Sequence, residues 1–288
     1  MERTVYVNGE FLPESEAKVS IFDRGFLFAD AIYEVTAVVD GKLLDNDGHI
    51  ARLARSCNEL ELTNPFTAES LTELQKEIAR RNNLIEGGIY LQVTRGNAGD
   101  RDFAYPAEDV PPTVVMFTQS RSVVETPKAE KGVKVISIPD IRWHRRDIKT
   151  TQLLSACMAK QAAIKAGASD TWLIEDGYVT EGSSNNVYIV TKEGKVVTRP
   201  LSNDILHGIT RAALLKMASD ANIEIEERLF TIEEAYDAEE AFLSSASTFV
   251  WPVVQIDDKT IGSGKPGPVA KKLREIYLEI AKSTGISI

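Results

Sequence analysis

Apolar positions change period several times along the chain, and each change marks an expected element. "TVYVNGEFLP" alternates, breaks at Asn8-Gly9 and alternates again. This predicts a hairpin, because Asn-Gly accepts the positive φ of a two-residue turn. "DAIYEVTAVVDGKLLDND" repeats the arrangement around Asp40-Gly41. In "DGHIARLARSCNELEL" the period lengthens, with Ile50, Leu53, Ala54, Cys57, Leu60 and Leu62 at near-helical spacing. "TAESLTELQKEIARRNNL" predicts a second helix, with Thr67 as N-cap and Glu69 and Ser70 in its first turn. "GGIYLQVTRG" and "PPTVVMFTQS" predict two apolar strands joined by the polar "NAGDRDFAYPAEDV". So long a loop inside a compact domain favours function over an idle connection.

The polar, proline-bearing "RSVVETPKAEKG", 121–132, is the expected linker between a small N-terminal α+β domain, 1–120, and a larger C-terminal domain, 133–288. Beyond it, "GVKVISIP" predicts a strand. Residues 150–166 predict an amphipathic helix, with Leu153, Leu154, Cys157, Met158, Gln161 and Ala162 on related faces. "DTWLIEDGYVTEGSSNNVYIVTKEGKVVTRP" predicts a β-meander, and "HGITRAALLKMASDANI" a helix that starts just after Gly208. "EEAFLSSASTFVWPVVQID" predicts two strands around a polar turn. "PGPVAKKLREIYLEIAKS" predicts a last helix with Pro268 near its start. Strands and helices do not alternate strictly, so the class is α+β in both halves, not a doubly wound parallel sheet.

A chain of 288 residues fits two medium domains. Its 43 acidic residues against 33 basic ones, a net charge of -10, argue against nucleic acid as a partner. No apolar run approaches the ~20 residues of a membrane span, and "MERTVYVNGEF" has no signal-peptide pattern. Cys57 and Cys157 lie far apart with no metal spacing and are expected to be reduced and buried. The expectation is a cytoplasmic protein with no metal and no membrane partner.

Candidate chemistry begins at "RWHRRDIKTTQLLSACMAKQAA", where Arg142, Arg145, Arg146 and Lys149 fall within eight positions. A lone lysine is a surface charge. Arg145 and Arg146 would raise the local positive potential, depress the Lys149 pKa and make it a nucleophile towards carbonyls. In "VTEGSSNNVYIV", Glu181 stands between apolar strand positions and small polar residues. One reading is a β-turn at Gly182 and Ser183. The other is an inward carboxylate with Ser183, Ser184 and Asn185 supplying donors. A buried carboxylate needs a partner, and a protonated heteroaromatic nitrogen would be one. "LHGITR" opens a helix with glycine, so the amides of Ile209 and Thr210 can hold a phosphate with help from the helix dipole. "SSASTF" is a second hydroxyl-rich turn, and "GHIARL" offers Arg52 as a phosphate cation or, taken alone, a surface helix arginine. Lysine, acid, glycine-opened helix and arginine together describe a pyridoxal-phosphate site.

The chain resembles the fold-type IV pyridoxal-phosphate enzymes, which include D-amino-acid, branched-chain and (R)-amine transaminases and aminodeoxychorismate lyase. The resemblance runs through "FDRGFLFADAIYEV", "GHIARL", "YLQVTRG", "IRWHRRDIKTTQLL", "AKQAA", "VTEGSSNNV", "LHGITR" and "FLSSAS". It implies the two-domain α+β fold of that group and pyridoxal 5'-phosphate as cofactor. It implies Lys149 as Schiff-base lysine and proton shuttle, Glu181 at the pyridinium nitrogen, and Leu206 under the ring. Arg52 would bind the phosphate with the amides of Ile209 and Thr210. The second phosphate turn of the family carries a hydroxyl residue where this chain has Ala246, with Ser245 or Ser247 as substitutes.

"EGSSNNV" and "RWHRRDIK" are most similar to D-amino-acid transaminases. Branched-chain enzymes usually show "EGSG", and the lyases a "KHLNRL"-like run after their lysine. The family's Tyr, Arg and His for the substrate carboxylate correspond to Tyr33, Arg101 and, in place of the histidine, Phe103. The resemblance thus implies a ping-pong, homodimeric transaminase of D-amino acids and 2-oxo acids, with the loop 97–109 lent to a neighbouring subunit. (R)-amine transaminase, L-branched-chain transaminase and lyase remain alternatives, as does a non-catalytic binding module.

Overall fold

The computed structural model describes residues 2–288; Met1, the first residue of the expected N-terminal domain, lies outside the described residues. The chain forms two compact units. The first holds the chain through Ser122 together with Ile148–Gln152 and Thr284–Ile288, and the second holds Val123–Asp147 and Leu153–Ser283. The expected boundaries, 1–120 and 133–288, miss these two returns to the first unit.

The first unit opens on the hairpin β1 (Thr4–Val7) and β2 (Glu10–Pro13), turned at Asn8 (φ 48°) and Gly9 (φ 104°). A short helix, α1 (Arg24–Phe28), follows, capped by Asp23. Next come β3 (Ala31–Val39), β4 (Lys42–Leu43), α2 (Asn46–Glu59) and α3 (Ala68–Arg81). A capping box between Thr67 and Ser70 starts α3, with the serine taking the usual place of glutamate. β5 (Gly87–Thr94) and β6 (Thr113–Ser120) complete the antiparallel centre, in which β3 pairs β5 and β5 pairs β6.

Side chains along a strand alternate between faces, so β3 serves two environments. Glu34 and Thr36 meet the helices: Glu34 bonds to α2, and Thr36 accepts from Gln75 of α3. On the other set of positions Tyr33 stacks on Tyr90, and Tyr90 on Phe117, with ring centroids 5.7 and 4.7 Å apart. The segment Ile148–Gln152 lies along the start of β3. Tyr33 donates its N–H to the Lys149 carbonyl, and Thr151 donates to that of Ala31, both at 3.0 Å. Thr150 forms a bridge with Ile32. These bonds hold residues 150–152 beside the strand, so the helix expected from 150 starts later.

The second unit contains α4 (Pro127–Lys131), which lies within the expected linker, then β7 (Val133–Pro139) and α5 (Leu154–Lys165). It continues with β8 (Asp170–Glu175), β9 (Tyr178–Gly182), β10 (Asn186–Val190), β11 (Val196–Thr198), α6 (Ile209–Asp220), β12 (Ile225–Glu227) and α7 (Ile232–Tyr236). β13 (Glu240–Ser245), β14 (Phe249–Ile256), β15 (Lys259–Thr260) and α8 (Pro268–Thr284) follow. The last strand, β16 (Ile286–Ser287), pairs with β4 in the first unit's sheet.

The second sheet runs β12-β11-β10-β13-β14-β7-β8-β9 with β15 on β14. The expected meander is therefore two hairpins, β8–β9 and β10–β11. β10 pairs with β13 instead of β9. Trp172, Val187, Ile189, Phe230, Leu243 and Ile256 lie in one buried cluster beneath the sheet. Helix α5 buries only its small residues Ala159 and Ala163, while Leu154 and Met158 are exposed. Its expected apolar face is thus turned outward. Cys157 on the same helix is exposed, against expectation, whereas Cys57 is buried and burial pushes its thiol up to about 12.

Candidate active site

Glu181 lies near the end of β9 and is almost completely buried. Its carboxylate accepts from the Arg142 guanidinium at 2.5 Å, from Asn186 Nδ2 at 3.0 Å and from the Leu206 N–H at 3.1 Å. Arg142 also donates through Nε and Nη2 to Asp140, at 3.0 and 2.7 Å. Burial pushes the Glu181 carboxyl above its ordinary range, and Arg142 and the Leu206 amide pull against it. For Asp140, burial is outweighed by Arg142 and the Thr180 hydroxyl, which hold the carboxyl below its ordinary value.

The cationic run resolves into pairs. Arg146 forks onto Glu175 at 2.6 and 2.7 Å, and Arg145 bonds to Asp147 at 3.0 Å. The expectation that Arg145 and Arg146 act on Lys149 as bare cations is corrected: both guanidiniums are neutralised by carboxylates of their own unit.

Near Glu181, the side chains of Ser183 and Asn185 bond to another acid. Ser183 Oγ donates to Asp170 at 2.5 Å and Asn185 Nδ2 to the same carboxylate at 2.9 Å, so both side chains serve a buried aspartate. Ser184 is exposed. The residue that braces Glu181 is Asn186, which also donates to the Leu206 carbonyl at 3.0 Å. Leu206 is thereby held through both its N–H and its C=O.

Gly208 caps α6 without a side-chain bond. A Cβ there would fall 2.0 Å from Asn186 Oδ1, so the glycine is required by the asparagine that holds Glu181. Ile209 and Thr210 open the helix, where amides have no intrahelical partner. The Thr210 hydroxyl is buried without a hydrogen-bond partner. An orphaned donor at a helix N-terminus fits an anion such as a phosphate. In the turn between β13 and β14, Ser245 Oγ lies 3.3 Å from Ser247 Oγ and 2.9 Å from Thr248 Oγ1, and Ala246 offers no hydroxyl.

In the first unit, the Lys149 ammonium sits 4.1 Å from the centroid of the Tyr33 ring. Its backbone is pinned on both sides: the carbonyl accepts from Tyr33, and the N–H donates to Ser56 Oγ of α2 at 3.5 Å. Arg52, one helical turn before Ser56, is buried and ion-paired with Glu34. His49 bonds to the same carboxylate. Burial alone would raise Glu34; Arg52 foremost, then His49, hold it well below the usual carboxylate range. Glu34 is not among the residues expected from the sequence, although an acid among apolar strand residues is the same signal that marks Glu181.

The loop 97–109 is fastened by another unanticipated residue. Arg24 donates to the carbonyls of Asp102, Ala104 and Phe103 at 2.7, 3.0 and 3.4 Å, and to Asp30 at 2.8 Å. Arg101 lies over the rings of Phe28 and Phe103, 4.8 Å from each centroid. Phe103 itself is 76% exposed.

Residues 31–256 match the family described as Amino-transferase class IV. The D-alanine aminotransferase of Staphylococcus haemolyticus is 41% identical over 97% of this chain and 98% of its own length. That of Bacillus licheniformis is 41% identical over 94% of both. Among solved structures, the branched-chain aminotransferase of Thermoproteus uzoniensis with norvaline superposes with a TM-score of 0.85 at 27% identity, covering 98% of this chain and 96% of that one. Another branched-chain amino acid aminotransferase, solved with pyridoxamine 5'-phosphate, gives a TM-score of 0.88, also at 27% identity, over 98% of this chain and 95% of its own.

The Asp140–Arg142–Glu181 group yields a stability prediction. Arg142→Leu removes the cation shared by two buried carboxylates and should cost about 3–5 kcal/mol near pH 7. The folded-state value of Asp140 is depressed, so its stabilisation is present above the ordinary aspartate pKa of about 4 and disappears as pH falls through the folded value. In the variant, protonated carboxyls no longer need the missing cation. Denaturant unfolding should therefore show the gap between variant and parent narrowing on acidification. A gap that stays constant or widens would rule out the charge pairing as its cause.

Proposed function

The chain belongs to the class IV aminotransferase family, and we infer that it is a pyridoxal-phosphate-dependent transaminase moving an amino group between D-amino acids, D-alanine foremost, and 2-oxo acids such as pyruvate or 2-oxoglutarate. The observation that carries this reading is the near-full-length likeness to the D-alanine aminotransferases. When bound, pyridoxal phosphate supplies an aldehyde that captures amines and a ring that withdraws electrons from the substrate Cα.

Lys149 would hold the cofactor's aldehyde through Nζ and serve as the base for the substrate Cα proton. Its pinned backbone and the Tyr33 ring fix where that nitrogen can reach. Glu181, braced by Arg142, Asn186 and Leu206, would partner the ring nitrogen and favour its protonated form. Leu206, held through its N–H and C=O, would support the ring. The amides of Ile209 and Thr210, the Thr210 hydroxyl and Arg52 would hold the phosphate, with Ser247 beside Ala246 as the second hydroxyl contributor. Tyr33 and Arg101 take the substrate carboxylate.

The assembly is a cytoplasmic homodimer. Phe26 and Phe103 in the first unit, and Leu154 and Met158 in the second, are large apolar side chains left 72%, 76%, 76% and 56% exposed, and such surfaces mark association sites. The two cysteines are free, which fits a reducing compartment.

Four measurements test these readings. The purified chain should be yellow and should bleach with D-alanine much faster than with L-alanine or L-leucine. Lys149→Ala should lose more than the roughly 100- to 10,000-fold that acid–base catalysis alone is worth. Near-parental turnover in that variant, or faster bleaching by L-leucine, would sink the assignment. Light scattering should give a dimer at assay concentration, and an active monomer would overturn that part.

The fourth measurement concerns Arg101. A charge-assisted bond to the substrate carboxylate contributes about 1.5–3 kcal/mol. Arg101→Ala should thus cut kcat/KM for D-alanine roughly 10- to 150-fold. (R)-1-Phenylethylamine, which has no carboxylate, should lose far less. Equal losses for the two donors would mean that Arg101 serves its aromatic stack with Phe28 and Phe103, not the substrate.

A further inference from the structure

Arg52 is held in an unusual way for a residue assigned to a phosphate. Its Nε and Nη2 donate to the two different oxygens of Glu34, each at 2.8 Å. Such a side-on fork fixes the plane and the direction of the guanidinium, which a single bond would leave free to rotate. The carboxylate is fixed in turn. His49, three residues before Arg52 on the same face of α2, lies with Nδ1 2.8 Å from Glu34 Oε2. Glu34 is an acceptor only, so the His49 proton sits on Nδ1. The three residues are 3%, 3% and 7% exposed for Glu34, His49 and Arg52.

Stability does not explain such a group, because buried ion pairs can often be exchanged for apolar residues at no loss. Location suggests what does. Arg52 precedes Ser56 by one turn, and Ser56 Oγ accepts the Lys149 N–H. The fork therefore lies on the helical face that runs along the backbone of the reactive lysine.

We propose that Glu34, braced by His49, is a positioning residue that aims the Arg52 guanidinium at the cofactor phosphate, so that the chain distinguishes phosphorylated from unphosphorylated pyridoxal. This rests on the reading of Arg52 as the phosphate cation.

The test is equilibrium binding of pyridoxal phosphate and of pyridoxal to the full-length apoprotein. The ratio of the two affinities reports the phosphate alone, because both ligands share the ring and the aldehyde. Arg52→Ala should lower that ratio roughly 10- to 100-fold. Glu34→Gln, nearly isosteric, should lower it about tenfold while changing pyridoxal affinity less than about twofold. Added to Arg52→Ala, Glu34→Gln should have no further effect on the ratio. Circular dichroism and thermal melting check that each variant is folded. Should Glu34→Gln not fold, His49→Leu carries the same test with a smaller loss, and His49→Asn, which keeps a donor near Nδ1, should restore the ratio.

The outcomes separate the two ideas. An unchanged ratio in Arg52→Ala overturns the assignment of Arg52 itself. A lowered ratio in Arg52→Ala with an unchanged ratio in Glu34→Gln, or in His49→Leu where that variant stands in, overturns the positioning role alone. So does a Glu34→Gln loss that persists in the Arg52→Ala background, or one that falls equally on both ligands.

Discussion

A carboxylate removed from water must be compensated where it lies, and two such groups organise this molecule. Glu181 and Glu34 are each 3% exposed, one in each unit. Left unpaired, either would be costly enough to stay protonated or to prevent folding. The fold answers in the same way twice. A strand presents the acid, and an arginine from another element meets it. A third residue, Asn186 in one case and His49 in the other, holds the carboxylate in register. Much of the local sequence follows from this need. Gly208 has no side chain because Asn186 already fills the space, and Arg142 lies two residues after Asp140, close enough to divide its charge between that acid and Glu181.

The dense run of positive charge around 142–149 takes a different meaning in this light. It is a set of counter-ions to acids, and the lysine at its end is not part of that set. Lys149 sits in the excursion Ile148–Gln152 that joins the first unit, where its backbone completes a ladder with β3. The strand therefore sets the position of the lysine backbone. For the role proposed for Lys149, a fixed root leaves only the side-chain torsions to sample.

Most of the architecture is legible in periodicity and turn chemistry. The hairpins at Asn8-Gly9 and Asp40-Gly41, the Thr67 cap and the helix after Gly208 rest on local rules and have the expected form. The departures depend on distant partners. Residues 150–153 carry a helical pattern, yet β3 takes the backbone of Lys149, Thr150 and Thr151. The apolar pattern of α5 points to the core, but the alanines pack inward and the large residues face out. Among the candidate site residues, Lys149, Glu181, Arg52 and the amides after Gly208 come from motifs whose chemistry is local. Ser183 and Asn185 do not brace Glu181 because Asp170, on the neighbouring strand, takes both side chains. No spacing rule reveals which acid a serine will choose. Glu34 and Arg24 look ordinary in sequence until their partners, on other elements, are known.

The order in which the chain is made gives the pairing of β16 with β4 a further consequence. The first unit includes the chain through Ser122, but the segment that carries Lys149 and the strand that covers β4 emerge later. A ribosome releases the chain from its N-terminus, so for most of synthesis this sheet has an unpaired margin at β4 and an unfilled place beside β3. The nascent first unit is held incomplete until β16 has been made. Products truncated before that strand would leave β4 at the margin, open to pairing with other chains, whereas in a chain that includes β16 the backbone of β4 is taken and the margin passes to this two-residue strand.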